Sequence, residues 1–223
     1  MMKIAIISDI HGNCSALKKI LSLMEKADAI INLGDVANFT AEVNHCYDLL
    51  KKKNIINLLG NHEFEALSRS SEQDMLRCGD DFIPSDFGVN EENKQFIKKS
   101  FRPYAKLQLD GISYLFCHGV MTKHNKTLLF DYLNEENITD VMEKYAVSAI
   151  FCGHLHRAQL IEYETDHYPV LKEIEKSYSL KFREGISYGF TIGMLSHKKD
   201  NPNSLQYGIL DTNSREFQYI MEE

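Results

Sequence analysis

Two histidines stand one residue apart in CGHLH, residues 152–156, directly after the apolar run VSAIF at 147–151. In an extended segment His154 and His156 project to one side; in a tight turn they straddle the bend. The pair gains meaning from what ends the other apolar runs. KIAIIS (3–8) runs into Asp9-Ile10-His11-Gly12-Asn13, AIINL (29–33) into Gly34-Asp35, and IINLL (55–59) into Gly60-Asn61-His62-Glu63. ISYLFC (112–117) runs into His118-Gly119. His11, His62, His118, His154 and His156, five of the nine histidines, fall at these ends.

Carboxylate oxygens, an amide oxygen and imidazole nitrogens suit Mn, Fe, Zn, Co or Ni, and the lack of a cysteine among them argues against a structural zinc cage. Taken alone, Asp9, Asp35 or His118 reads more readily as a satisfied core polar group or a helix cap than as a ligand. Together, Asp9, His11, Asp35, Asn61, His118, His154 and His156 are too many for one tetrahedral ion and about right for two. A carboxylate shared by ions about 3.5–4 Å apart forms a clamp for the attacking and leaving oxygens of an in-line displacement.

Such a clamp needs strands that deliver their C-terminal ends to one place, and the chain alternates accordingly. Strand 3–8 is followed by an amphipathic helix at 14–26, strand 29–34, a second helix at 42–53 and strand 55–60. That succession predicts a sheet covered by helices, with ligands beyond the carboxyl ends of its strands. The polar stretch 63–100 reads as helices and loops over one edge. Residues 104–119 read as a hairpin turning at Asp110-Gly111, and 138–146 as another amphipathic helix. The last third returns to strands, AQLIEYE, YSLKF, ISYGFTIGML, LQYGILD and REFQYI. No repeat, low-complexity tract or Pro/Gly-rich linker divides the chain.

The 223 residues are 43% hydrophobic and 26% charged with a net charge of −7, enough for one core without staples. The acidic balance argues against stable nucleic-acid binding. No apolar run approaches the roughly 18 residues of a membrane span, and the start reads as a strand and not a signal peptide. Five unpatterned cysteines read as reduced thiols, so the expected location is cytoplasmic.

In order, SDIHGN, GD, GNHE, CHG and GHLH resemble the motif series of the calcineurin-like metallophosphoesterases, running from residue 8 to 156. The strand-rich tail is similar to that of the small bacterial phosphodiesterase branch. The resemblance implies an α/β fold of two mixed β-sheets packed as a sandwich flanked by helices, one domain over 1–223, with 64–103 as a helical and loop insertion over the active-site rim. It implies two divalent ions per chain, from Mn, Fe, Zn, Ni or Co with Mn favoured. Asp9, His11 and His156 would hold the first, Asn61, His118 and His154 the second, and Asp35 would bridge them. A metal-bound hydroxide would attack phosphorus in line. His62 resembles the residue that protonates the leaving alcohol or stabilises the transition state.

The chain also departs from relatives of that family. Protein Ser/Thr phosphatases and symmetrical diadenosine tetraphosphatases place an Asp where Asn38 stands, and an Arg where Leu59 precedes Gly60. This weighs against a protein phosphatase and leaves the orientation of His62 open. Thr191-Ile192-Gly193-Met194 stands where small bacterial relatives often carry Asn-Pro-Gly-Ser. The expected substrate is a small phosphodiester or phosphomonoester, nucleotide-like; the alternative is a dinucleoside polyphosphate such as diadenosine tetraphosphate. A non-catalytic metal-binding scaffold is disfavoured, because all seven ligand positions and His62 are present.

Substrate contacts are expected from Asn13, which competes for the role of helix cap, Asn38 and Arg157. Arg69, Arg77, Lys123 and His124 read mainly as solvated charges, and Phe82, Phe87 and Phe101 as core before base-stacking groups. The expected partner is a small phosphorylated substrate, with no membrane; a homo-oligomer is left open.

Overall fold

The computed structural model describes residues 2–38, 40–51, 54–69, 75–78, 81–84, 86–124, 127–196 and 204–222, with the side chains of 75–78, 81–84, 122–124 and 127–129 left aside. The first half follows the expected alternation: β1 (Lys3–Ile7), α1 (Cys14–Leu23), β2 (Ala29–Asn32), α2 (Val43–Lys51), β3 (Ile55–Leu58) and α3 (Asn61–Ser68). Then come β4 (Met75–Cys78), β5 (Asp81–Pro84), α4 (Glu91–Ser100), β6 (Phe101–Arg102), β7 (Tyr104–Leu109) and β8 (Ile112–Cys117). After β9 (Val120–His124), β10 (Thr127–Asp131) and α5 (Ile138–Tyr145), the chain is all strand. Those strands are β11 (Ala149–Cys152), β12 (Ala158–Glu164), β13 (Val170–Ile174), β14 (Tyr178–Lys181), β15 (Ile186–Thr191), β16 (Gln206–Asp211) and β17 (Glu216–Met221).

Two mixed sheets form. One has the order β14-β17-β16-β1-β2-β3-β6, the other β13-β12-β15-β11-β8-β7. Strands β1, β2, β3 and β6 run parallel in the first, as do β8, β11 and β15 in the second. The period-2 alternation of side chains explains why the sheets stack. In β1, Ile4 and Ile6 enter the core between the sheets, whereas Ala5 and Ile7 face α1, α2 and α4. In β8 and β11, Tyr114, Phe116, Ala149 and Phe151 face the same inter-sheet core, and Leu115, Cys117, Ile150 and Cys152 face α5. Phe116, Phe151 and Phe190 stack across neighbouring strands at 5.2 and 5.3 Å between centroids. The result is a helix–sheet–sheet–helix sandwich, as the resemblance implied.

The hairpin turn falls where expected. Asp110 and Gly111 both have positive φ, 49° and 84°, the pairing that a two-residue type I′ turn requires. The stretch 64–103 departs from expectation, because besides helix and loop it holds the antiparallel ribbon β4–β5 and the edge strand β6. A second ribbon, β9–β10, and the edge strand β13 were likewise not foreseen. The run at 186–195 keeps strand structure only to Thr191. Among the described residues, no helix is long and apolar enough to cross a membrane.

Candidate metal centre

The parallel strands of both sheets bring their C-terminal loops to one rim. The loops after β1 and β2 run side by side: Asp9 N donates to Gly34 O (3.0 Å), His11 N to Asp35 O (2.9 Å) and Gly12 N to Val36 O (2.8 Å). After β8 and β11, Gly153 N donates to His118 O at 2.9 Å. These turns put five non-glycine residues in the left-handed region: Asp9 (φ 53°), His11 (47°), Asp35 (56°), His154 (70°) and His156 (61°). Such a conformation costs on the order of 1–3 kcal/mol per residue and persists only where the surroundings enforce it. All five are candidate ligands. Gly153 is required for a different reason: a Cβ there would run into Ser8 Oγ and Asp9 Oδ2.

The side chains gather in two groups that share Asp35, namely Asp9, His11, Asp35 and His156, and Asp35, His118 and His154. The CGHLH segment is thus a turn, and its two histidines straddle it. In the first group His11 Nε2 and His156 Nε2 are 2.9 Å apart. Asp9 Oδ1 lies 3.6 and 3.2 Å from them and has no hydrogen-bond partner among the described residues, while Oδ2 accepts from Ser8 Oγ and from His154 N (3.1 Å). One carboxylate oxygen is fixed by the protein and the other is left for a ligand. In the second group Asp35 Oδ2 lies 3.3 Å from His118 Nε2, which also meets Asn61 Oδ1 at 3.1 Å. One His154 nitrogen, Nε2, is engaged with the Phe130 carbonyl at 3.0 Å, so Nδ1 is the nitrogen left for the group. Donors that bind one ion at about 2.0–2.2 Å stand roughly 3 Å apart. The donor atoms of each group lie within 4.8 Å of one another, close enough for a divalent cation to draw them together, and Asn61 extends the second.

Burial disfavours charge throughout, but pairing outweighs it for most of these groups. The imidazoles of His11 and His156 beside it hold the Asp9 carboxyl well below the usual carboxylate range. His118 likewise lowers Asp35, and Asp35 in turn lifts the buried His118 to about 9. Asp9 raises His11, whereas burial and then the charge of His118 lower His154. The metal-free cluster therefore holds a proton on His118 at neutral pH, and a cation bound there must displace it. Metal uptake by stripped protein is expected to release a proton below about pH 9 and to strengthen by up to about tenfold per pH unit towards that value. Calorimetry in two buffers of different ionisation enthalpy counts the protons. No release at pH 7 would take His118 out of the ligand set.

His62 stands beside the groups without joining either. Its ring is 22% exposed, with Nδ1 held by the Ala37 carbonyl at 2.8 Å and Nε2 3.9 Å from Asp35 Oδ2. Buried Phe87 stacks on it, centroids 4.7 Å apart and planes 8° apart. The orienting group is thus the main chain of Ala37, next to the half-buried Asn38. Glu63, to which the sequence reading gave no role, is fully buried and accepts five hydrogen bonds. Asp35 N and Gly60 N bond Oε2 (2.8 and 2.9 Å), and Val36 N, Ala37 N and Tyr47 Oη bond Oε1 (2.8, 3.0 and 2.8 Å). Its one sequence signal is its place as third residue of α3, from which a glutamate reaches back to the N-cap amide.

The other candidates are placed variously. Asn13 caps α1, its Oδ1 accepting from Ala16 N at 3.0 Å. Arg157 is exposed and lies 3.8 Å from Glu173 Oε1, a geometry worth little in stability. Arg69 is exposed at the end of α3, and Phe101 packs in the core against Phe96 and Tyr47. The side chains of Arg77, Phe82, Lys123 and His124 lie outside the described residues. Cys14, Cys46, Cys117 and Cys152 are buried free thiols.

Known proteins resemble this chain in sequence or in fold. The uncharacterized protein MJ0912 of Methanocaldococcus jannaschii is 26% identical over 223 residues, covering 99% of this chain and 87% of that protein. A metallophosphoesterase from Sphaerobacter thermophilus superposes with a TM-score of 0.73 at 20% identity, over 100% of this chain and 88% of the other. A structure described as a novel archaeal phosphodiesterase superposes with a TM-score of 0.52 at 15% identity, over 99% of each chain. The domain model described as calcineurin-like phosphoesterase superfamily matches residues 2–171, a span that contains every residue of both donor groups, and the chain belongs to that superfamily.

Proposed function

We propose that this chain is a cytoplasmic two-metal phosphoesterase acting on small phosphodiesters or phosphomonoesters, nucleotide-like ones among them, with Mn²⁺ the favoured ion. The observation that carries the reading is the pair of donor groups joined through Asp35, with His62 Nε2 facing the shared carboxylate. Asp9, His11 and His156 would hold one ion, Asn61, His118 and His154 the other, and Asp35 both. Bound divalent ions would supply Lewis-acid stabilisation of phosphoryl charge and activation of water.

The chain's own part is positional. Asp9 Oδ2 and Asp35 Oδ1 are tied to the amides of His154 and His62, which aims the opposite oxygens inward. A proton on His62 Nδ1 satisfies Ala37, and a second proton on Nε2 is the one to pass to the leaving oxygen. Phe87 closes the outer face of that ring to water. Asn13, Asn38 and Arg157 complete the proposed contacts with substrate.

The test is hydrolysis of bis-p-nitrophenyl phosphate and p-nitrophenyl phosphate by metal-stripped protein, with Mn²⁺, Zn²⁺, Fe²⁺, Ni²⁺ or Mg²⁺ restored in turn. The expected outcome is turnover only after re-addition, and the ratio of rates separates diesterase from monoesterase. Two bound ions per chain without turnover on either ester would sink the catalytic reading.

A further inference from the structure

An aromatic side chain beside the second donor group is left half in solvent. Tyr132 follows β10 directly and is 51% exposed. Its ring lies against the His154 imidazole, with centroids 4.8 Å and planes 29° apart. The backbone that carries it is held on both sides. The Tyr132 carbonyl accepts from Asn137 Nδ2 at 2.8 Å, and Asn137 Oδ1 accepts from Asn134 N at 3.0 Å. The next residue, Leu133, is 3% exposed in the core between β8, β11 and α5. Among the described residues, Tyr132 itself belongs to none of the hydrophobic cores or their flanks. A large ring has thus been fixed in place at the rim without being buried.

Packing does not require this ring, but recognition gives it a use. A tyrosine contributes a large, flat contact area at a small cost in side-chain freedom, and half-exposed aromatic faces bind flat partners. His154 is a candidate ligand, so a phosphoryl group held at the second donor group would lie beside Tyr132. A group attached to that phosphorus through a sugar would meet the ring. Stacking is tolerant of which base or aryl group is present, and it adds no charge to a chain of net charge −7.

We propose that Tyr132 is a stacking platform that selects phosphoesters bearing a flat aromatic group, a nucleobase or an aryl ring. The proposal rests on the phosphoesterase reading and names its substrate class. The alternative role, a shield that only keeps His154 in place, would act on all phosphates alike.

The experiment is calorimetric binding, to the full Mn²⁺-loaded chain, of the uncleavable phosphonate analogues of AMP and of ribose 5-phosphate. The expected result is about 5- to 100-fold tighter binding of the AMP analogue. In Tyr132→Ala that ratio falls to about one, while the base-less analogue binds as before; Tyr132→Phe and Tyr132→Trp keep the preference. Equal affinities in the wild type overturn the platform, as does a ratio that survives in Tyr132→Ala. Equal weakening of both analogues in Tyr132→Ala overturns it in favour of the shield. Metal-dependent turnover with no base preference sinks the platform alone. If neither analogue binds and no ester is cleaved, the phosphoesterase reading has failed and the platform with it.

Discussion

His62→Ala is expected to lower turnover by about 10²–10⁴-fold while both ions stay bound. The metal content should hold because the imidazole is in neither donor group. Turnover should fall because the ring is so placed that Nε2 serves one purpose. Ala37 fixes Nδ1, Phe87 lies flat on one face, and His11 meets the ring edge-on at 4.9 Å between centroids. The remaining direction faces the shared carboxylate, where a leaving oxygen would need a proton. The loss should depend on that need. An ester with p-nitrophenolate, a good leaving group, should lose less than one with an alkoxide leaving group. Metal analysis together with rates on both esters reads this out. Equal losses on the two esters would leave His62 a binding role and remove it as proton donor.

Much of the centre was legible because strand physics and ligand chemistry coincide. A buried parallel strand is a short apolar run, and a loop at its carboxyl end is where function is placed. Runs ending in Asp9, Asp35, Asn61, His118 and His154 therefore announce both the sheet and its rim. What was hidden follows from equally physical causes. The ribbons β4–β5 and β9–β10 lack the alternation of a half-buried strand, as residues 75–84 and 120–131 mix charge with apolar groups irregularly. The left-handed backbone at five candidate ligands is only faintly marked in residue type, since Asp and His enter that conformation more often than most side chains but far less readily than glycine. His62 is oriented by the main-chain carbonyl at 37, a group that every residue carries, so no residue type announces it.

Glu63 links these hidden features, and its loss is expected to be the largest single effect on stability. Its carboxylate joins the amides of Asp35, Val36 and Ala37 after β2 to the Gly60 amide after β3 and to the Tyr47 hydroxyl of α2. Removing the acceptor strands five buried donors, each costing about 1 kcal/mol or more where water cannot enter. Glu63→Ala should therefore lose about 5 kcal/mol, less the desolvation recovered, in urea unfolding of metal-free protein. Removing a buried carboxylate also recovers its desolvation cost, but with five charge-assisted bonds made, the bonds win. Glu63→Gln separates packing from hydrogen bonding, because its amide keeps the shape and turns an NH₂ towards donors. With its oxygen kept on the Oε1 side, the amides of Asp35 and Gly60 lose their acceptor. About 2 kcal/mol is then expected, two stranded donors at about 1 kcal/mol each. The same change frees the loop that places Asp35 between the two donor groups and Ala37 behind His62, so metal affinity and turnover should both fall in Glu63→Gln. A Glu63→Gln protein with unaltered metal affinity and rate would show that the loop keeps its shape without the clamp, and Glu63 would then be a residue of stability alone.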